Sequence, residues 1–478
     1  MRKKLIATVL MMSMMGMVAC TSTETQVDTQ VTEVVDEVEE EVVEEVVELE
    51  EEDDSLPRYD GDRNVVTYFA NWTQKDQGAV GEVAAIPWEQ VTVINHAFWR
   101  VEKEDEGVFY IESTEEYTDL ENDNLSEWAP ETGLPINCFA QYEYYSQLYP
   151  DVEILISIGG WNCSGNFSEM ALTQESRKTF IDSCIALMQE YEWIDGIDVD
   201  WEYPGQYRTS ADELDEGNPV FGVDKENYTL LLQEMEAAFD AEFGEEEKLL
   251  TVCLPVASSV LFLQDVQAFH PYVDLMNLMA YDMNGSWSGN TAHQAYITGS
   301  GGCGPIVEYL LKVGVDPQKI NLGTAFYTRG WDDIDVSDPD KILGQMTQGV
   351  SADNIGWYLL KKLELEAVEV GTPGFHVVYD ETALASYMWN DDPDSAMYQT
   401  VLSYDNEESI IAKANYIEEM GLGGGMIWAS YYDSVADGSP LTALLSKELG
   451  VYDGELPEYV GEGLPNLGET YVPEDYGN

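Results

Sequence analysis

The chain has 478 residues, and its 92 acidic and 21 basic side chains give a formal net charge of −71 at pH 7. A field of this sign opposes binding to nucleic acids and anionic surfaces, whereas a neutral polymer is indifferent to it. Hydrophobic residues make up 44% of the sequence, enough at this length for a large buried core. We therefore expect a globular protein with no nucleic-acid partner.

Residues 1–20 are typical of a bacterial lipoprotein signal peptide. Met1-Arg-Lys-Lys is basic, and the apolar run from Leu5 to Val18 is short for a membrane span. Met17-Val-Ala-Cys20 resembles a lipobox, which predicts lipidation of Cys20 and anchoring to the outer face of the membrane. An ordinary secretory signal is the alternative, and it predicts a secreted protein without the lipid anchor.

Two further segments have compositions that do not favour a packed core. Residues 21–57 hold 16 acidic side chains and no basic one. A charge run this dense repels itself, so we predict a disordered, extended linker. Residues 451–478 form an acidic tail with Gly and Pro and without a recognisable binding module.

Eight apolar runs predict strands, at 65–69, 91–98, 154–156, 194–199, 249–254, 275–279, 320–323 and 426–428. Helical patterns separate several of them, at 177–191, 225–243 and 409–420. This alternation predicts an α/β fold, a (β/α)8 TIM barrel with its active site at the C-terminal ends of the strands. The barrel would occupy residues 58–329 and 393–450.

The segment Asp195-Gly-Ile-Asp-Val-Asp-Trp-Glu-Tyr-Pro204 places carboxyls at alternating positions of the fourth predicted strand. Successive strand side chains point to opposite faces, so Asp198, Asp200 and Glu202 share one face. Like charges this close disfavour joint ionisation, which raises pKa values as a general acid requires. A calcium loop is the alternative, but it needs Gly after the third acidic ligand, where this chain has Tyr203.

The same segment resembles the signature of glycoside hydrolase family 18, the chitinase family. Asp195, Asp198, Asp200 and Glu202 fill the pattern Asp-x-x-Asp-x-Asp-x-Glu without a gap. Four more motifs resemble strands 3, 6, 7 and 8 of that family: Ser157-Ile-Gly159-Gly160-Trp161, Met279-Ala-Tyr281-Asp282, Leu322-Gly-Thr-Ala-Phe-Tyr327-Thr-Arg329-Gly-Trp331 and Gly423-Gly-Gly-Met-Ile-Trp428. The resemblance covers about residues 60–450 and preserves the family's order.

The resemblance implies a chitinase that cleaves β-1,4 links between N-acetylglucosamine units by substrate-assisted, retaining catalysis through an oxazolinium ion. Glu202 would act as general acid and then base, Asp200 would orient the acetamido group, and Asp198 would share a proton with Asp200. Asp195 would have a supporting role. Residues 330–392 would form a small α+β insertion between strands 7 and 8, which deepens the cleft and favours a grip on several sugars.

The resemblance also implies a set of substrate-binding residues: Tyr68, Phe98, Trp161, Met279, Tyr281, Asp282, Tyr327, Arg329 and Trp428. Ser157, Gly159 and Gly160 are expected to shape the barrel floor, with the glycines leaving space beside the carboxyls.

Tryptophans outside these roles are expected mainly in the core. Trp287 and Trp331 follow predicted strand ends and are further candidates for stacking on sugars. Trp201 takes the strand face opposite the carboxyls, so we expect it among the helices.

No cofactor or metal is expected. Apart from Cys20, the cysteines are odd in number and form no Cys-x-x-Cys pair, so neither a disulfide framework nor a zinc site is supported. With 4 His in the whole chain, a His-based site is equally weak. We expect a monomer whose partner is chitin or another N-acetylglucosamine-containing glycan, and membrane contact only through Cys20.

Three alternatives to a chitinase stay open. An endo-β-N-acetylglucosaminidase would cut N-glycans or peptidoglycan on the same barrel. A non-catalytic protein would bind chito-oligosaccharides at the surface, but its usual mark is loss of the acid, and Glu202 is present. An adhesin would use the long segments 103–149 and 205–224 as display loops.

Overall fold

The computed structural model describes residues 63–459, except 105–106, 212–213, 246, 348–354, 357–373, 396 and 434. The predicted signal peptide with Cys20, the linker at 21–57 and the tail beyond 459 lie outside the described residues. Among the residues that are described, none of the helices has the length and apolar character needed to cross a membrane.

The described strands are, in chain order, β1 (Asn64–Ala70), β2 (Val93–Lys103), β3 (Phe109–Ser113), β4 (Glu153–Gly159), β5 (Gly196–Asp200), β6 (Leu249–Pro255), β7 (Leu275–Met279), β8 (Ile320–Ala325), β9 (Arg329–Trp331), β10 (Phe375–Asp380), β11 (Ala385–Asn390), β12 (Val401–Tyr404) and β13 (Gly424–Trp428). Eight of them run parallel in the order β1-β13-β8-β7-β6-β5-β4-β2, and pairing of β1 with β2 closes the sheet. The predicted (β/α)8 barrel is thereby confirmed.

The described α-helices are α1 (Thr73–Gln77), α2 (Cys138–Leu148), α3 (Phe167–Met170), α4 (Gln174–Glu190), α5 (Asp224–Phe243), α6 (Ser258–Leu261), α7 (Val266–Phe269), α8 (Gly304–Lys312), α9 (Glu407–Met420) and α10 (Pro440–Glu448). Side-chain caps define several ends. Thr173 and Ser176 form a reciprocal capping box at the start of α4. Gly421 ends α9 in the left-handed conformation, with φ 65°, which glycine adopts without a steric penalty.

A second, antiparallel sheet lies between β8 and β13 of the barrel, in the order β10-β11-β12-β9. Trp331 and Trp389 are central to its small core. The sheet includes β12, so this insertion extends beyond the boundary at residue 392 that the sequence predicted. The boundary was wrong because β12 has only 4 residues and is defined by its pairing with β9 and β11.

Strand β5 divides its side chains between two environments. Ile197 and Val199 belong to the apolar layer between the barrel and its helices. Asp198 and Asp200 take the alternate positions, which face the barrel axis, and both are buried. Trp201 is 1% exposed, and its ring stacks on Phe167 at 5.3 Å, so its predicted place in the helical layer is observed.

Asp195 lies just before β5, at the opposite end of the barrel from the strand tips. Its Oδ2 accepts a hydrogen bond of 2.9 Å from the backbone N–H of Ile154, which joins the starts of β4 and β5. The carboxyl of Glu153 lies beside it. Burial and the charge of Asp195 raise the pKa of Glu153 to about 7, and Lys248 limits the rise.

We predict that Glu153→Gln stabilises the fold near pH 8, which is above the raised pKa of Glu153, and has little effect near pH 4, which is below it. A carboxyl whose folded pKa lies above its unfolded value loses stability as pH rises from about 4.3 to its folded pKa, because the folded state holds the proton more tightly. The neutral amide removes that loss. Thermal unfolding at the two pH values measures the effect. Glu192→Gln, at an exposed glutamate nearby, is the control, and an equal shift at both pH values would contradict the assignment.

Candidate active site

Asp198 is the deepest of the three carboxyls. Its Oδ2 accepts hydrogen bonds from Ser157 Oγ at 2.7 Å and from Tyr68 Oη at 2.9 Å, and its Oδ1 accepts one from Thr251 Oγ1 at 2.5 Å. Ser157 and Thr251 occupy the positions directly across from Asp198 on β4 and β6. Burial raises the pKa of Asp198, and the hydrogen bonds from these groups and Asn277 limit the rise.

Asp200 is 3% exposed but has far fewer donors than Asp198. Its Oδ1 is buried without a hydrogen-bond partner among the described residues. Burial, followed by the charges of Glu202 and Asp198, raises the pKa of Asp200 well above its usual range, and a hydrogen bond from Cys253 opposes the rise. Asp200 therefore keeps its proton to a higher pH than a carboxyl in water.

Glu202 follows the end of β5 and is half-buried at the barrel mouth. Its backbone N–H donates to Ser164 Oγ at 2.9 Å. Burial is the main cause that raises its pKa to about 7; the charge of Asp282 adds to the rise, while a hydrogen bond from Tyr203 and the charge of Arg208 oppose it. A carboxyl with this pKa can both donate and accept a proton near neutrality.

Asp282 is fixed by two residues that follow β8. Its Oδ1 accepts hydrogen bonds from Tyr327 Oη at 2.8 Å and Arg329 Nε at 2.7 Å, and its Oδ2 accepts one from Arg329 Nη2 at 2.6 Å. Tyr281, just before it, is half-buried, and burial raises the pKa of its phenol well above the usual range, so the hydroxyl keeps its proton. The structure thus brings the strand 6 and strand 7 motifs together.

Aromatic rings line the barrel mouth around Trp428, the last residue of β13. Phe98 stacks on Trp428 with ring centroids 5.6 Å apart and planes 18° apart, and Tyr68 lies 5.5 Å away. Trp72 completes the group at 6.4 Å from Trp428. Trp161 is 48% exposed, with the guanidinium of Arg208 4.1 Å above its ring.

One sugar-stacking candidate requires correction, and one predicted contact residue is almost fully buried. Trp331 is wrong as a sugar-stacking candidate because it is 0% exposed, in the core of the insertion, and its Nε1–H donates to the carbonyl of Gly285 at 3.2 Å. Tyr327 is also buried, at 2% exposure, and its hydroxyl is already donated to Asp282. Trp287, by contrast, is 59% exposed, with the guanidinium of Arg329 5.2 Å from its ring.

The two glycines at the end of β4, Gly159 and Gly160, make room for neighbours other than the carboxyl groups. A Cβ on Gly159 would lie 2.2 Å from the backbone oxygen of Asp200, and one on Gly160 would lie 2.5 Å from the ring of Phe98. Both residues have positive φ, 117° and 79°. Their smallness therefore lets β4 approach β5 and lets Phe98 reach the floor. Met279, a predicted contact residue, is 8% exposed beside this floor.

The sequence reading missed several residues of the site. Three of them lie on apolar strands at alternate positions whose side chains point into the barrel: Thr251, Cys253 and Asn277. A polar or sulfur-bearing residue at such a position could have been recognised in the sequence. Tyr68 Oη lies 2.9 Å from Cys253 Sγ and accepts from Asn277 Nδ2 at 3.3 Å. Trp72 lies in a loop outside any quoted motif, so no signal identified it.

Comparison with known proteins assigns a family. The family model of glycosyl hydrolases family 18 matches residues 64–433. Chitinase A1 of Niallia circulans is 31% identical over 306 residues, covering 60% of this chain and 42% of the relative; chitinase A of Pseudoalteromonas piscicida is 30% identical over 361 residues, covering 67% and 42%. The chain thus spans less than half the length of these two curated relatives.

Solved structures agree with the family model. Chitinase ChiW of a Paenibacillus species has a TM-score of 0.64 at 28% identity, covering 81% of this chain and 43% of its own. A Group IV chitinase of Ostrinia furnacalis has a TM-score of 0.66 at 25% identity, covering 81% of this chain and 100% of its own. Because the family model matches most of the chain, the chain belongs to the glycosyl hydrolases of family 18.

Proposed function

We propose that the protein hydrolyses the β-1,4 links of chitin or chito-oligosaccharides, with the substrate's own acetamido group as nucleophile. The observation that carries the proposal is the arrangement along β5, where only Glu202 reaches the barrel mouth while Asp198 and Asp200 are buried. Glu202, with a pKa of about 7, is suited to proton transfer in both directions. The relatives named chitinases support the same substrate.

In the first step, protonated Glu202 donates its proton to the glycosidic oxygen as the bond from that oxygen to the anomeric carbon breaks. The carbonyl oxygen of the substrate's acetamido group bonds to the anomeric carbon and forms an oxazolinium ion. In the second step, the Glu202 carboxylate takes a proton from a water molecule, whose oxygen attacks the anomeric carbon. The oxazolinium ring reopens to the acetamido group, and the anomeric carbon of the product retains its original configuration.

Asp200 and Tyr281 would hold the acetamido group during these steps. The carboxyl of Asp200 would accept the acetamido N–H and stabilise the positive charge that develops on the ring, since electrostatic stabilisation in a buried site is strong. The Tyr281 phenol, which keeps its proton, would donate to the acetamido oxygen. Asp198 would act through Asp200 by exchanging a proton with it.

The walls of the site support a substrate of several sugars. Trp428 would stack beneath the sugar at the reacting centre, while Trp161 and Trp287 present exposed rings farther out. Asp282, held by Arg329, offers a carboxylate to sugar hydroxyls. The insertion between β8 and β13 favours a deep cleft over the shallower site of an endo-β-N-acetylglucosaminidase.

We predict that Glu202→Gln lowers kcat on chito-oligosaccharides by at least about 100-fold while binding persists, because the amide cannot deliver a proton. The full chain and the variant are incubated with N-acetylglucosamine oligomers and with an N-glycoprotein, and products are resolved by mass. Full activity in the variant would refute the assignment of the acid. Binding without cleavage by the unmutated chain would indicate a non-catalytic binding protein, and release of whole N-glycans would replace chitinase with the endo-enzyme.

We predict that kcat/KM falls as pH rises through about 7, because the acid must be protonated to act. Arg208 lowers the pKa of Glu202, so Arg208→Gln should move this alkaline limb to higher pH. Lys178→Gln removes the same charge from an exposed ion pair on α4 and controls for net charge. A limb that does not move in Arg208→Gln, or that moves equally in both variants, would contradict this electrostatic role.

We further propose that Cys20 carries a lipid and holds the enzyme at the outer face of the membrane, supported by the basic, apolar and lipobox-like sequence of residues 1–20. The expected result is that the full chain, expressed in a bacterial host, partitions into the detergent phase. Cys20→Ala should move it to the aqueous phase. Aqueous partitioning of the unmutated chain would instead indicate ordinary secretion.

A further inference from the structure

A second cluster of reactive groups lies on the outer side of β2, away from the three carboxyls. It contains His96 of β2, Asp119 of the short helical turn Tyr117–Glu121, and Cys138, the first residue of α2. All three side chains are 0% exposed. One ligand atom from each lies within 4.8 Å of the others, and the structure has no ion there.

Asp119 uses only one of its two oxygens for hydrogen bonds. Oδ2 accepts from Asn71 Nδ2 at 3.1 Å, from Trp99 Nε1 at 3.1 Å and from Ser113 Oγ. Oδ1 is buried and accepts no hydrogen bond of acceptable geometry from the described residues. The carboxylate is therefore oriented on one side and has its other oxygen directed to the cluster.

His96 shows the same division between its two ring nitrogens. Nδ1 lies 3.3 Å from Tyr142 Oη, within hydrogen-bond range. Nε2 is buried and lies 2.9 Å from Asp119 Oδ1, an ion-pair distance, yet the pair is not aligned as a hydrogen bond. The unbonded atoms of His96 and Asp119 thus face each other, beside the thiol of Cys138.

The outer contacts match those that orient metal ligands in proteins. A ligating imidazole usually has its other nitrogen hydrogen-bonded, and a ligating carboxylate is hydrogen-bonded in turn. Tyr142 provides the first contact, and Asn71, Trp99 and Ser113 provide the second. The mixture of imidazole, thiolate and carboxylate suits zinc and disfavours magnesium or calcium, which take oxygen ligands.

The charge balance also favours a divalent cation. The Asp119 carboxylate and a Cys138 thiolate would place two anions in a site whose side chains are 0% exposed, which is unfavourable without a cation beside them. A zinc ion offsets both the carboxylate and the thiolate when the imidazole is neutral, so the buried group has no net charge. The side chain of Gln74 lies beside the cluster. Its Nε2 is 3.8 Å from Cys138 Sγ, and its Oε1 is buried without a hydrogen-bond partner among the described residues.

We propose that His96, Asp119 and Cys138 bind one zinc ion, which fastens the start of α2 and the turn Tyr117–Glu121 to the back of β2. The sequence did not indicate this site because its ligands are far apart in the chain and lack the short Cys and His spacings of known zinc motifs. Asn71 links the cluster to Phe98, one of the aromatic residues that form the proposed sugar-binding floor around Trp428. Its Nδ2 donates both to Asp119 and to the carbonyl of Phe98, the latter at 3.2 Å. The ion would stiffen the floor without taking part in the hydrolysis.

The test uses the purified full chain, treated with a chelator and then equilibrated with Zn²⁺, Co²⁺ or Mg²⁺. We expect about one retained zinc per chain, no retained magnesium, a thiolate-to-cobalt charge-transfer band with Co²⁺, and a higher Tm with zinc. Cys138→Ala and His96→Gln should lose the zinc and weaken or abolish the cobalt band. Cys184→Ala, which removes an equally buried thiol from α4, should retain both.

Absence of bound zinc and of the cobalt band in the unmutated chain would overturn the proposal and leave a metal-free ion pair. Equal metal content in Cys138→Ala and Cys184→Ala would overturn it as well. The cobalt spectrum of the unmutated chain requires no variant, so it decides the question even where Cys138→Ala fails to fold. Metal content and spectra do not depend on sugar cleavage, so the result is separate from that for the proposed function.

Discussion

The structure depends on keeping carboxyls stable inside a barrel that excludes water. Moving an ionised carboxylate from water into an apolar interior is unfavourable by several kcal/mol unless hydrogen bonds or opposite charges replace the lost hydration. Around Asp198 the replacement comes from Ser157, Thr251 and Tyr68, each on a different strand. The parallel register of β4, β5 and β6 is what places two of these hydroxyls directly beside the carboxyl.

The three carboxyls of this face differ because the supply of donors falls along the strand. Asp198 is surrounded by hydroxyls, Asp200 has a thiol as its side-chain donor, and Glu202 lies where β5 leaves the barrel. Asp200 therefore has the most strongly raised pKa of the two aspartates, and Glu202 titrates close to neutrality. One strand with period 2 thus produces three protonation behaviours, and the differences arise from burial, from the hydrogen-bond donors beside each carboxyl and from the charges around it.

The sequence predicted features that repeat along the chain, and it failed where a single tertiary contact decides. Alternation within β5 placed Asp198, Asp200 and Trp201 on the correct faces, because strand geometry alone determines the side. Trp331 was misplaced because position after a strand end does not reveal whether a ring enters the cleft or the core of the insertion. The cluster around His96 is the extreme case, since its members come together only when β2, a helical turn and α2 pack.

The insertion is held at both ends by ion pairs in a chain where basic residues are scarce. At its entry, Arg329, the first residue of β9, clamps Asp282 through two nitrogens. At its exit, Asp405 follows β12 and pairs with Lys413 at 2.6 Å, with both side chains 0% exposed, and it also accepts the backbone N–H of Ala325 at the end of β8. Ser403 of β12 pairs with Arg329 of β9, so the two anchors belong to one sheet. Because the same arginine begins the insertion and orients Asp282, displacement of the insertion would also displace a carboxylate of the candidate site, so the insertion helps to position that site.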